Sequence, residues 1–337
     1  MPARTRRFGV SLILIAALSA ALVACSSAGG STAAPSSAPT AAAATSAPPT
    51  STAAFPVTLT DDEGTSVDLA AQPQKIVSLT PATTEILFAL GAGHRVIATD
   101  DGSDYPEAAA ALPDVAKFDS VDVEKVVALE PDLVVAGGLG FTPAATITQL
   151  RSLDVPVIVV YAKSVDGVYD DIEMLGRATG TTDAATALTT SMRSDMTAVS
   201  TAVSGSGTKP RVYYEVGYDD VTGAIYAPAD DSFVAEMVTL AGADAITTGD
   251  PASYEISLEK LIERDPEIIV LGTNPFYNPT PAAVMARSGW DAMTAVKNKD
   301  VRPVRDIEVT RPGPRLPIGL RNLASAIWPD VTLPAAP

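Results

Sequence analysis

The side chains able to do chemistry in this sequence are few. Among 337 residues there is one cysteine, Cys25, and one histidine, His94. Cys25 follows Leu22-Val23-Ala24 and an uncharged, mostly apolar run that begins at Phe8. A thiol at the end of such a run, behind Arg4, Arg6 and Arg7, sits where a signal segment ends and where acylation is the available chemistry. With no second cysteine there is no internal disulfide. One histidine cannot supply the converging ligands of a bare zinc or manganese site. His94 lies beside Gly91-Ala92-Gly93, which follows a helical pattern rather than a strand, so these glycines read as a helix cap and not as a phosphate loop. Asp100-Asp101 and Asp219-Asp220 lack calcium-loop spacing and read as solvated turns. No Gly-x-Ser-x-Gly is present. A tethered hydrolase working through paired carboxylates stays open as a rival class, as does a structural surface protein.

The chain divides by composition. Residues 1–24 read as a signal peptide, and the run ending at Cys25 resembles the lipobox of bacterial lipoproteins. That likeness implies a diacylglyceryl thioether on Cys25 and a protein held on the extracytoplasmic face of a cell membrane by its acyl chains. Residues 25–54 form a tether: from Ser26 to Ala54 only Ala, Ser, Thr, Pro and Gly occur. Such a segment has nothing to bury and spans roughly 30 Å r.m.s.. The whole chain carries 23 basic and 40 acidic residues. Without the three signal arginines the balance is 20 against 40, a net charge of −20. That charge opposes binding to nucleic acid, which needs a cationic surface.

From Phe55 onward short apolar runs alternate with amphipathic stretches. Buried strands are expected over 76–79, 133–136, 157–160, 211–215, 268–271 and 301–304. Helices are expected over 82–90, 123–129, 144–153, 233–241, 258–263 and 317–327, after a small hairpin around Asp62-Glu63-Gly64. The alternation predicts α/β layers. The segment from Val123 to Val135 also matches that from Leu258 to Val270 at a constant offset of 135. Each copy has a capping residue (Asp122 or Ser257), a short helix, an acidic-Pro break and a strand. A duplicated unit implies two similar lobes, 55–165 and 209–333. Between them, 166–208 is helical by pattern, interrupted near Gly180, with Asp183 placed to cap a second helix of about 20 residues, which would span roughly 30 Å. That helix is either a surface helix of the first lobe or a stiff strut between lobes.

Several segments together resemble the periplasmic-binding-protein family that delivers metal chelates (cobalamin, ferric siderophores, haem) to ABC importers. They are Lys75 through Gly91, Ser103-Asp104-Tyr105-Pro106, the Glu-Lys-Val-Val-Ala-Leu-Glu-Pro-Asp-Leu run from Glu124, and Arg311-Pro312-Gly313-Pro314-Arg315. The likeness covers residues 74–330, and its wording is nearest the cobalamin-binding branch. It implies two Rossmann-like lobes joined by a long rigid α-helix, a ligand held between them, no catalysis and no resident cofactor. The implied partners are a permease dimer with its cytoplasmic ATPase, met by a monomeric receptor.

Three sets of residues carry the implied chemistry. Pro81, in the loop opening the first long helix, faces the expected cleft. Tyr105, Phe118, Tyr218, Tyr226, Tyr254 and Arg311 offer aromatic walls and a cation to a broad, largely apolar ligand. Gly102 stands where cobalamin binders of this type can place an aromatic. Glu124 and Glu259, equivalent in the repeat, are the expected docking carboxylates for permease arginines; each also suits a helix N-terminus. Cobalamin, with its amide-rich and nearly neutral exterior, is the favoured ligand, then a ferric siderophore, then haem, for which His94 is the axial candidate.

Overall fold

A computed structural model describes residues 55–117, 120–138 and 141–335. The expected signal segment, Cys25, the expected tether and Phe118 lie outside the described residues. The described part opens with an antiparallel hairpin, β1 (Val57–Thr60) and β2 (Ser66–Leu69). Asp61 closes its turn by accepting from the backbone N–H groups of Glu63 and Thr65, and pairs with Arg151 at 2.7 Å.

The first lobe runs β3 (Ile76–Ser78), α1 (Pro81–Ala89), β4 (Val96–Asp100), β5 (Asp114–Lys117), β6 (Ser120–Val121), α2 (Val123–Ala128), β7 (Leu133–Gly137), α3 (Ala144–Ser152) and β8 (Val157–Val160). Its sheet has the order β6-β5-β4-β3-β7-β8 and is parallel except for the β5–β6 edge pair. Two helices follow, α4 (Val165–Thr179) and α5 (Thr182–Val203). Gly180 ends α4 with φ +69°, a left-handed cap that suits glycine. Thr181, not Asp183, occupies the cap position of α5; Asp183 falls one residue into the helix, in its first turn.

The second lobe comprises β9 (Arg211–Glu215), β10 (Gly217–Tyr218), β11 (Ile225–Tyr226), α6 (Phe233–Leu240), β12 (Asp244–Ile246), β13 (Glu255–Ile256), α7 (Leu258–Arg264), β14 (Ile268–Thr273), α8 (Pro281–Met285), α9 (Thr294–Asn298), β15 (Val301–Arg305), α10 (Ile307–Thr310) and α11 (Leu316–Ile327). Its main sheet is parallel, in the order β12-β9-β14-β15, and β10, β11 and β13 form a small antiparallel sheet beside it.

The repeat seen in the sequence is a repeat of position. β7 and β14 both lie between the first strand of their lobe's unit (β3 or β9) and the edge strand (β8 or β15). Asp122 and Ser257 each accept from the backbone N–H three residues on, at 3.0 and 3.2 Å. Glu130 and Asp265, each just before the proline, both take positive φ, 51° and 43°. That turn reverses the chain at the end of α2 and α7 and feeds the strand.

α5 packs on α4 of the first lobe and on α11 of the second, so the strut reading holds. Its apolar stripe, Met192, Met196, Val199 and Val203, is buried in one continuous core with Ile172 and Leu175 of α4 and Leu320 and Leu323 of α11. The outer face of each sheet has its own core, built around Val134 and Val159 in the first lobe and Trp290 and Ile269 in the second. Sharing the inner core through a brace makes the two lobes resist a wide hinge swing.

Candidate functional site

Ligands on open α/β sheets collect at the carboxyl ends of the strands. Here the ends of β3, β7 and β8 face those of β14 and β15 across a cavity of about 450 Å³. That volume falls within the usual range for small-molecule sites, roughly 300–1,000 Å³.

Short polar side chains set the shape of the first-lobe wall. Thr80 caps α1, and Pro81, whose missing N–H is harmless at the first helical position, lines the cavity. Below them runs a buried chain of hydroxyls. Ser78 Oγ and Thr83 Oγ1 lie 2.7 Å apart, Thr84 Oγ1 lies 2.8 Å from Ser78 Oγ and 2.8 Å from Ser103 Oγ, and the Ser103 hydroxyl donates its one proton to the Asp100 carboxylate at 2.5 Å. This chain holds the 80–83 turn against the 101–104 loop, so both present fixed backbone to the cleft. Gly137, at the end of β7, permits the close approach: a Cβ there would stand 2.7 Å from Thr80 Cγ2.

One end of the cleft is stitched by ions. Glu85 of α1, 3 % exposed, accepts at Oε1 from Arg311 (2.7 Å) and Arg315 (2.6 Å), and at Oε2 from Arg315 Nε (2.8 Å). Arg311 also donates to Asp104 at 3.0 Å, and Arg315 to Glu308 at 2.9 Å. Arg305 completes the set on Glu308 at 3.2 Å. Three carboxylates meet three guanidinium groups, and the cluster bridges the two lobes.

The rest of the lining is aromatic and acidic. Phe141 and Tyr161 come from the first lobe, with ring centroids 6.3 Å apart; Phe276 comes from the second and is 99 % exposed. Burial and then its neighbour Tyr254 push the Tyr161 phenol up to about 12, so it stays a hydrogen-bond donor. Asp171 of α4 reaches the wall nearly buried, and burial followed by the nearby Asp62 raises its carboxyl to about 9. Asp306 accepts from Tyr214 at 2.6 Å and Thr310 at 3.1 Å; burial raises it while these hydrogen bonds pull the other way.

Of the residues singled out by sequence, Pro81, Gly102 and Arg311 line the cavity. Arg311 is a member of the ion cluster rather than a free cation. Tyr254 stands next to the cavity through Tyr161. Tyr105 lies under Arg315, 4.5 Å from ring centre to guanidinium carbon, outside the cavity wall. Tyr218 is turned away: it packs edge-on against Trp290 and beneath Arg287, itself paired with the buried Glu215. Tyr226 lines a separate hollow of about 430 Å³ beside β13. These last two belong to the small antiparallel sheet, whose strands the sequence pattern does not reveal. His94 bonds Gly91 O at 3.0 Å in the turn after α1 and does not line the cavity. Glu124 and Glu259 are exposed in the first turns of α2 and α7. Among the described residues no group of His, Cys, Asp and Glu is arranged to hold a metal ion, and no helix is long and apolar enough to cross a membrane.

Phe141 and Phe276 carry no motif of their own, yet they stand 135 residues apart, the offset of the repeat. Each follows the equivalent strand, β7 or β14, by four residues from its glycine, Gly137 or Gly272. The duplicated unit thus sends one phenylalanine from each lobe to the same cavity.

Twin α/β lobes on a helical brace, with an aromatic-rimmed cavity at facing strand ends, define a two-lobed ligand-capture protein. A family model described as periplasmic binding protein matches residues 76–306. The chain belongs to that family, whose members are non-enzymatic components of transport. It is 34 % identical to an uncharacterized ABC transporter substrate-binding lipoprotein, YvrC, of Bacillus subtilis, over 83 % of this chain and 88 % of that one. It is 30 % identical to a cobalamin-binding protein of Halobacterium salinarum, over 81 % and 74 %. Among solved structures, an ABC-type Fe3+-hydroxamate transport system protein of Saccharomonospora viridis superposes with a TM-score of 0.66 at 25 % identity, covering 82 % of this chain and all of that one.

Proposed function

We propose that this chain is the extracytoplasmic substrate-binding lipoprotein of an ABC importer, and that it holds a corrinoid between its lobes. The observation that carries the reading is the pair Phe141 and Phe276, one from each repeat, exposed and lining one cavity. Two aromatic faces offered from opposite lobes suit a broad, apolar ring system edged with amides. Tyr161 and the backbone of the 101–104 loop stand ready as hydrogen-bond partners for such an edge. The relative in Halobacterium bears the corresponding name. A ferric trihydroxamate is the second reading, favoured by the likeness to the Saccharomonospora protein.

The lipid on Cys25 would keep the receptor at the membrane through a flexible tether, and Glu124 and Glu259 would meet the permease from the two lobes. Calorimetric titration of the mature protein with cyanocobalamin tests the ligand. Heat of binding with a micromolar or tighter dissociation constant, and ligand recovered unchanged, is expected; no binding at micromolar concentration would turn the choice to the trihydroxamate. Partition of the expressed protein into a detergent phase, abolished in Cys25→Ala, tests the anchor.

A further inference from the structure

The ionisable side chains that face the cavity are mostly acidic. Asp101, Asp104, Asp171 and Asp306 line it, and Arg311 is the one basic side chain among its lining residues. Arg311 is already held by Glu85 and Asp104, at 2.7 and 3.0 Å. The neighbouring guanidinium groups are held too: Arg315 by Glu85 and Glu308, Arg305 by Glu308. That cluster is balanced within itself, three negative groups against three positive. None of the ion pairs among the described residues reaches Asp101, Asp171 or Asp306. An anionic guest would therefore meet Asp101 without a counter-ion and would have to share Arg311 with Glu85 and Asp104. To recruit Arg311 fully it would have to displace one of the two guanidinium groups on the buried Glu85 carboxylate, an exchange that gains little.

We infer that the cleft admits chelates of zero or positive net charge and rejects anionic ones. This rests on the reading of the chain as a chelate receptor and narrows it. It admits a neutral cobalamin, a cationic aquacobalamin and a cationic ferric trihydroxamate such as ferrioxamine B. It excludes ferric tricatecholates, and haemin with its two propionates. Asp101 is the main selector. It is exposed, it lines the cavity, and among the described residues its backbone N–H, donated to Ala116 O at 3.0 Å, is its one hydrogen bond to the fold. Asp306 stands on the opposite wall, while Asp171, buried at 4 % exposure, keeps its proton and adds no charge.

The test is a panel of dissociation constants by calorimetry at low and at physiological salt, using cyanocobalamin, aquacobalamin, ferrioxamine B, haemin and a ferric tricatecholate. Wild-type protein is compared with Asp101→Lys and with Asp101→Asn/Asp306→Asn. The two anions are expected to bind at least about tenfold more weakly than the best neutral or cationic ligand. Asp101→Lys should improve anion binding by at least about fivefold and weaken the cations by a similar factor, an effect smaller at higher salt. If ferrioxamine B binds and the cobalamins do not, the corrinoid reading fails and the charge rule stands. If haemin or the tricatecholate binds most tightly, or if Asp101→Lys leaves the ranking of charges unchanged, the charge rule is overturned and the receptor reading survives. Binding of none of the five removes both.

Discussion

Glu85 is the residue whose loss should cost most. Its carboxylate is 2 % exposed and receives three N–H groups from Arg311 and Arg315, all within 2.8 Å. Glu85→Gln keeps the shape but takes the shared counter-ion from two partly buried guanidinium groups, leaving Arg311 with Asp104 and Arg315 with Glu308. Breaking a buried pair from one side costs about 3–5 kcal/mol, because the remaining charge keeps its desolvation penalty. About 280 described residues at about 2.1 cal/mol/K each give a melting entropy near 0.6 kcal/mol/K. The midpoint should therefore fall by roughly 5–8 °C. Thermal melts of wild type, Glu85→Gln, Arg315→Met and the double variant supply the cycle. The double variant should be more stable than the two single losses added together, since Glu85 and Arg315 share two hydrogen bonds that either single variant already breaks. A fall of less than about 2 °C, or strictly additive singles, would refute the view that this cluster fastens the lobes.

The same variant bears on ligand entry. Entry of a broad ligand by parting of the lobes would have to open the ion cluster, which joins them at one end of the cleft. A closed apo state lowers apparent affinity by the fraction of molecules that are competent to bind. Glu85→Gln should then bind cyanocobalamin more tightly even while it melts earlier. Unchanged affinity would mean that the mouth between Phe141 and Phe276 admits the ligand without separation of the lobes.

Three further outcomes follow from the geometry. Phe141→Ala and Phe276→Ala should each weaken corrinoid binding by about 1.5–3 kcal/mol, the worth of burying a phenylalanine; calorimetry should show this, with Phe276→Ala scarcely moving the melting point because that ring is 99 % exposed. Asp171 has its carboxyl raised from 3.8 to about 9, so the folded state keeps a proton that the unfolded chain releases. Its contribution is complete below about pH 4 and is lost as pH climbs through about 9; melts from pH 5 to 9.5 should show wild type losing ground against Asp171→Asn, and parallel curves would contradict this. Glu124→Lys with Glu259→Lys should abolish uptake by cells while leaving ligand affinity intact, since both carboxylates are exposed on α2 and α7 and interfacial charge pairs couple by roughly 1.5–7 kcal/mol; normal uptake would remove the docking role.

The central strands were legible because a parallel strand buried on both faces needs an unbroken apolar run. Val157–Val160 and Ile268–Leu271 read directly for that reason, and both are buried throughout. β4 and β12 carry no such run, having polar residues at Thr99, Asp100 and Asp244. The two-residue strands β10, β11 and β13 are too short for any period to show. Tyr218 and Tyr226 sit on them, and for that reason sequence alone points these rings toward the ligand when they serve the outer sheet. Arg311 was legible as a cleft residue but not as a paired one, because its partner Glu85 lies 226 positions away and inside a helix whose pattern is otherwise apolar.

The repeat had more to say than its helices and strands. A duplicated β-unit duplicates what lies beyond the strand as well, since the loop leaves the sheet at the same place and in the same direction. Carrying the offset of 135 four residues past Gly137 and Gly272 pairs Phe141 with Phe276, and both prove to line the cavity. The two glycines are paired for a related reason. A Cβ at Gly137 would meet Thr80 at 2.7 Å, and one at Gly272 would meet Asp306 at 2.7 Å and the Tyr214 hydroxyl at 2.9 Å. In each lobe the strand end is pressed against a polar side chain at the carboxyl edge of the sheet, and only glycine leaves room for that. The close approach fixes where the loop departs, and the departure fixes where the ring is offered. The aromatic pair is thus a consequence of the backbone geometry that the two lobes share.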